Sequence, residues 1–150
     1  MTRAAIIAAL YTVITLLLAP ISFGPIQLRV SEALTLLPVF FAEAVPGLFI
    51  GCFLANLIGG YGLIDAVVGG SATLVAALLT YVLRRNRKIA ALPPVLINAV
   101  VIGLLLHYVI PDTPLIPTML YIGAGQAVAC YALGLPLLSL IDRMDLVNKL

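Results

Sequence analysis

The chain has 150 residues, 63% of them hydrophobic and 9% charged, with a mean hydropathy of +1.22. Soluble domains run at roughly 45–50% apolar and about 25% charged, so these polar side chains are too few to cover a water-facing surface. A net charge of +2 does not suggest a nucleic-acid surface, and Cys52 and Cys130, both inside apolar runs, form no readable disulfide or zinc framework.

The charges fall in groups. Charge-free runs extend from Ala4 to Leu28, Ala44 to Ile64, Ala66 to Leu83, Ile89 to Pro111 and Thr113 to Ile141. A bilayer core needs about 20 apolar helical residues, and each run is long enough to cross it. A further segment, Val30–Ala44, is shorter, reaching about 22 Å as an α-helix. If it crosses, Arg3, the Arg84-Arg85-Asn86-Arg87-Lys88 cluster and the tail residues Arg143 and Lys149 share one side. That is seven of the eight Lys and Arg residues, leaving Arg29 opposite. If it does not, the cluster moves outside, against the positive-inside rule. The pattern therefore predicts an all-α membrane protein with six transmembrane helices, both termini cytoplasmic, and one integral-membrane domain over residues 1–150.

The spans run Ala4–Ala19, Val30–Ala44, Pro46–Gly60, Leu63–Leu83, Ile89–Ile110 and Leu115–Ile141. The first carries Ala4, Ala8, Thr12, Thr15 and Ala19 on one face, widened by Ala5 and Ala9. Small faces let helices approach closely in lipid, so this face suits either internal packing or docking onto another membrane chain. Pro20–Arg29 forms the first outer loop. Pro46 opens the third span, where its missing N–H costs nothing, and Gly59-Gly60 closes it. After a tight Tyr61-Gly62 turn, Asp65 stands where a helix N-terminus is expected, with capping as its plain role. The stretches Gly47–Gly51 and Gly69-Gly70-Ser71 read as internal packing. Pro111–Pro117 forms the last outer loop.

Polar groups in or beside spans need a partner or a purpose. On this topology Arg29, Glu32, Asp65, His107, Tyr108 and Tyr121 gather toward the outer face, with Asn56, Asn98 and Gln126 nearer mid-span. Each has a plainer reading. Arg29 and Glu32, at i and i+3, neutralise each other; His107 and the tyrosines, Tyr11 among them, anchor at the interface; the amides bond between helices. Their convergence points to a pocket for a small polar molecule. No phosphate loop, metal cluster or nucleophile beside a base is present, so neither an enzyme nor a cofactor or metal is expected.

The stretch Gln27-Leu28-Arg29-Val30-Ser31-Glu32-Ala33-Leu34-Thr35-Leu36-Leu37-Pro38 resembles the signature of the queuosine-precursor transporter family, QueT. So do Gly47-Leu48-Phe49-Ile50-Gly51-Cys52 with Asn56, Asp65 followed by Gly69 and Thr73, Pro93-Pro94 with Asn98, and Tyr131-Ala132-Leu133-Gly134-Leu135-Pro136-Leu137. The chain departs at Gln126, where the family's pattern has a glutamate after Gly125. The resemblance implies a substrate-binding (S) component of an energy-coupling factor (ECF) transporter in a prokaryotic cell membrane. It implies an outward site covered by the first loop, and docking of Ala4, Ala5, Ala8, Ala9 and Thr12 onto a transmembrane subunit powered by two ATPase subunits. For a 7-deazaguanine ligand, Glu32 or Asp65 suits the paired N–H edge. Arg29, Asn98 or Gln126 suits the ring carbonyl, and Phe23, Tyr61 or Tyr121 suits the base face. Gln27 and Asn56 complete the expected site. A neutral Gln126 leans away from a strongly cationic ligand. The alternatives are an S component for another vitamin or heterocycle, an ion-coupled secondary carrier, and a membrane subunit without a ligand.

Overall fold

The computed structural model describes residues 2–24 and 27–144; Pro25 and Ile26 of the first loop and Lys149 of the tail lie outside them. Among the described residues every regular element is helical. The order is α1 (Thr2–Leu17), the single-turn α2 (Ala19–Ser22), a 3-10 helix (Val30–Val39), α3 (Ala44–Gly59), α4 (Leu63–Val82), α5 (Arg87–Ala90), α6 (Leu92–Val109), α7 (Leu115–Ala127), a π-helical stretch (Val128–Gly134) and α8 (Leu135–Arg143). Three runs, Leu63–Val82, Arg87–Val109 and Leu115–Arg143, are long and apolar enough to cross a membrane. Thr2–Leu17, Val30–Val39 and Ala44–Gly59 are apolar but shorter. The described residues are thus all-helical, with the apolar segments of a membrane protein.

Three expected segments differ in winding. Val30–Ala44, read as α-helix, is a 3-10 helix that stops at Val39. Runs of this kind longer than 3–4 residues are uncommon, so packing must hold it. Seven of its ten residues are buried, and the Thr35 hydroxyl donates to the Glu32 carbonyl at 2.6 Å, taking up a backbone acceptor. At about 2.0 Å rise per residue it covers about 20 Å, against about 15 Å for an α-helix of equal length.

The segment expected as Ile89–Ile110 begins earlier and breaks at Ala91, just before Pro93 and Pro94, whose rings supply no N–H. Asn86 caps the short α5 by accepting from the Lys88 and Ile89 amides at 3.2 and 3.4 Å. Asn86→Ala should lower stability by about 1 kcal/mol, read as a fall in the thermal unfolding midpoint in detergent; an unchanged midpoint would show that other contacts hold this turn. The last segment widens into π turns immediately before Pro136, which cannot donate to the carbonyl four residues back.

α3 lies between α1 and α4 and touches both closely. A Cβ added at Gly51 would stand 2.9 Å from the Ala8 carbonyl and from Tyr11 Cβ, so glycine is what lets α1 and α3 meet there. The interior is filled largely by Ala, Gly, Thr and Cys, whereas Leu17, Ile58, Val82 and Leu120 are 75, 67, 71 and 68% exposed. Many large apolar side chains thus face outward, where lipid would solvate them, while Leu36, Leu48, Ile122 and Leu138 fill the core.

Candidate functional site

Three charged residues are buried among the described residues: Arg29, Glu32 and Asp65, at 3, 1 and 2% exposure. Threefold winding stacks residues three apart, which places Glu32 one turn beyond Arg29 and Thr35 one turn further. The sequence spacing i, i+3, i+6 thereby becomes one inward row.

Glu32 does not pair with Arg29. Its Oε1 accepts from the Tyr11 hydroxyl at 2.5 Å and its Oε2 from Asn98 Nδ2 at 3.4 Å. Gln126 is buried as well, at 3% exposure. Arg29 instead donates from Nη1 to Asn56 Oδ1 at 2.9 Å and from Nε to the Ser22 carbonyl at 3.3 Å. Its guanidinium lies 5.0 Å from the Phe23 ring centroid, within cation–π range. Asn56 Nδ2 then donates to the Asp65 carbonyl and to its Oδ1, at 3.1 and 3.3 Å. The absence of a side chain at Gly69 leaves room for the Asn56 amide.

The capping role expected of Asp65 is corrected. Gly62 is the N-cap residue of α4 and no side chain caps it. The Asp65 Oδ2 accepts from the Tyr61 amide at 3.3 Å, outside the helix, so this carboxylate ties the preceding turn to Asn56.

The structure thus joins Arg29, Asn56 and Asp65 in one hydrogen-bonded series, and Glu32, Tyr11 and Asn98 in a second set; no hydrogen bond joins Gln126 to either among the described residues. Among the described residues three buried side-chain polar atoms lack partners: Arg29 Nη2, Gln126 Oε1 and Ser22 Oγ. Tyr61 and Tyr121 line a cleft of about 350 Å³ beside the buried set, together with Phe23, Leu106, Pro114 and Thr118. Phe23 belongs to both, which puts the cleft beside Arg29. Gln27 is buried, with a positive φ of 47°. His107 is exposed and its Nδ1 contacts the Thr113 carbonyl at 2.6 Å, at the loop rather than in the cluster.

Sequence reasoning missed Tyr11, grouped with the interfacial tyrosines, although it is fully buried. Its signal is present: Ile7, Tyr11 and Thr15 form a row at i, i+4, i+8, all buried on α1. Thr15 and Ser31 were also missed as a pair; their hydroxyls meet at 2.6 Å and tie α1 to the 3-10 helix. Cys52 accepts from the Thr73 hydroxyl at 3.2 Å beside this cluster.

Ala4, Ala5, Ala8, Ala9 and Thr12 line an apolar groove of about 690 Å³ whose other wall includes Pro46, Ile50 and Leu54 of α3. The Thr12 hydroxyl donates to the Ala8 and Gly51 carbonyls at 2.8 and 3.1 Å, which satisfies its polarity within the protein.

Residues 1–143 match the model of a family described as QueT transporter. One relative, the queuosine precursor transporter QueT of Lactococcus lactis subsp. cremoris (strain MG1363), is 42% identical over 73 residues, 47% of this chain and 43% of that protein. The aligned stretch therefore spans less than half of that relative's length. No solved structure matches the chain. On the family match, which runs across nearly all of its length, the chain belongs to the QueT transporter family.

Proposed function

We propose that this chain is the substrate-capture (S) subunit of an ECF-type importer and that it binds a queuosine precursor, a 7-deazaguanine, at the Glu32–Arg29–Asp65 cluster. The observation that carries the reading is a buried guanidinium with an unpartnered Nη2 beside a buried carboxylate. A 7-deazaguanine presents a ring N–H and an exocyclic amine side by side, followed by a ring carbonyl. A carboxylate accepts the first two together, and a guanidinium N–H donates to the third. The family membership and the name of the Lactococcus relative support the ligand class.

Charge supports the placement. The cluster lies at the start of α4, and the Arg84–Lys88 group follows its other end. With six spans and the basic group cytoplasmic, the cluster faces outward. The groove between α1 and α3 is apolar and lined by small residues of α1, which suits docking onto a transmembrane subunit in lipid. Two ATPase subunits then supply the energy.

The test is a titration of the purified full chain in detergent with queuine, 7-cyano-7-deazaguanine, 7-aminomethyl-7-deazaguanine and guanine. Saturable binding of a deazaguanine without partner subunits is expected. No binding across the set would remove the substrate assignment, and transport by the chain alone in liposomes under an ion gradient would replace the S subunit by a secondary carrier.

A further inference from the structure

The cations at the end of the bundle remote from Asp65 divide into two kinds. Arg3 pairs with Glu43 at 3.7 Å and lies 5.4 Å from the Phe41 ring centroid. Arg87 pairs with Asp142 at 2.6 Å and lies 5.1 Å from the Phe40 ring centroid. Among the described residues the carboxylates at this end are thereby engaged. Arg84, Arg85 and Lys88 are exposed, and among the described residues their side chains form no ion pair or hydrogen bond.

The turn that carries them is held in place. The Thr80 hydroxyl donates to the Ala90 carbonyl at 2.9 Å, and the Tyr131 hydroxyl donates to the Lys88 carbonyl at 2.9 Å. Asn86 caps α5 from within the turn. Arg84 lies over the Tyr81 ring, 4.3 Å from its centroid, and Tyr81 packs against the core. A guanidinium stacked in this way keeps its N–H donors in its own plane, free to meet two oxygens of a phosphate together. Membrane topology asks only for positive charge on one side. It asks for neither a fixed turn nor a stacked guanidinium.

The neighbours are apolar. Val82 and Leu83 precede the cations, and Ile89 and Leu92 follow them, all exposed. Cations beside exposed aliphatic side chains match an amphiphile with a phosphate at one end and hydrocarbon at the other. A soluble polyanion would meet the charges and leave those side chains in water. We propose that the turn between α4 and α5 binds an anionic phospholipid, with Arg84, Arg85 and Lys88 on its phosphate and Val82, Ile89 and Leu92 against the start of its acyl chains. This site is separate from the Glu32–Arg29–Asp65 cluster and does not depend on the deazaguanine reading.

The experiment mixes the purified full chain in uncharged detergent with equal amounts of phosphatidylglycerol and phosphatidylcholine bearing the same acyl chains. Native mass spectrometry then counts the lipids retained. Phosphatidylglycerol should be favoured by about 10-fold or more, since each Lys or Arg beside an anionic lipid contributes about fivefold. Arg84→Gln/Arg85→Gln should bring the ratio below about threefold. Should that double variant be unstable, Arg85→Gln alone, which removes no internal contact, should lower the ratio by about fivefold. Equal retention of the two lipids by the unaltered chain would overturn the proposal and leave the turn to an acidic protein partner. A preference that survives the substitutions would overturn it by placing the lipid elsewhere. Displacement of the lipid by inorganic phosphate would overturn it too, because a free-anion site has no part for the acyl chains.

Discussion

Glu32→Gln is expected to weaken 7-deazaguanine binding by about 100-fold or more. The carboxylate offers the ligand's two N–H groups an acceptor that is charged and buried, and hydrogen bonds to charged groups contribute about 1.5–3 kcal/mol each. The amide keeps one acceptor oxygen, but its NH2 group opposes a donor on the ligand. That one oxygen can still accept from the Tyr11 hydroxyl, leaving Asn98 to lose its bond, so the fold should survive. The comparison is a binding titration beside a thermal unfolding scan of the same variant. Unchanged affinity in a folded variant would remove Glu32 from the ligand-reading role.

Asn56→Ala should be the most damaging single substitution for stability, by about 3–5 kcal/mol. Asn56 is fully buried and bridges Arg29 to Asp65 with one amide, accepting from the first and donating to the second. Removing it leaves a guanidinium and a carboxylate short of partners inside the bundle, and each lost bond to a charged group is worth about 1.5–3 kcal/mol. No residue is placed to take its position, because Gly69 opposite has no side chain to offer. Unfolding by denaturant in detergent would measure the loss. A change below about 1 kcal/mol would mean that water or a relaxed Arg29 rotamer substitutes for the amide.

The sequence made the helical segments legible because lipid imposes long charge-free runs, and the breaks between runs fall near helix ends, as Asp65 does in the first turn of α4. Winding was not legible. A run such as Ser31-Glu32-Ala33-Leu34-Thr35 carries no local preference for 3-10 over α, and its geometry is set by burial from α1, α4 and the π stretch. The polar set was legible by type: Arg29, Glu32, Asn56, Asp65, Asn98 and Gln126 are all buried. The pairing was not. The i, i+3 spacing suggested that Arg29 and Glu32 satisfy each other, but a threefold winding aims both inward to partners on other helices. Tyr11 was legible only through the row Ile7, Tyr11 and Thr15 on one face of α1, because residue type alone reads a tyrosine as an interfacial anchor.

The interior built of small side chains has a consequence for how the protein tolerates change. In a water-soluble domain the damaging direction in the core is truncation, which empties space that large residues had filled. Here Ala44, Ala55, Ala66, Ala76, Ala77 and Ala129 are already fully buried with almost nothing left to remove. At these positions enlargement is the damaging direction instead, because each added carbon must push two helix backbones apart; truncation still matters at Leu36, Leu48, Ile122 and Leu138, which are also fully buried. The outward Leu, Ile and Val residues, by contrast, can exchange among themselves freely, being bounded by a fluid that adapts to their shape. Variation in such a chain should therefore concentrate on its most hydrophobic surface and avoid its least bulky interior.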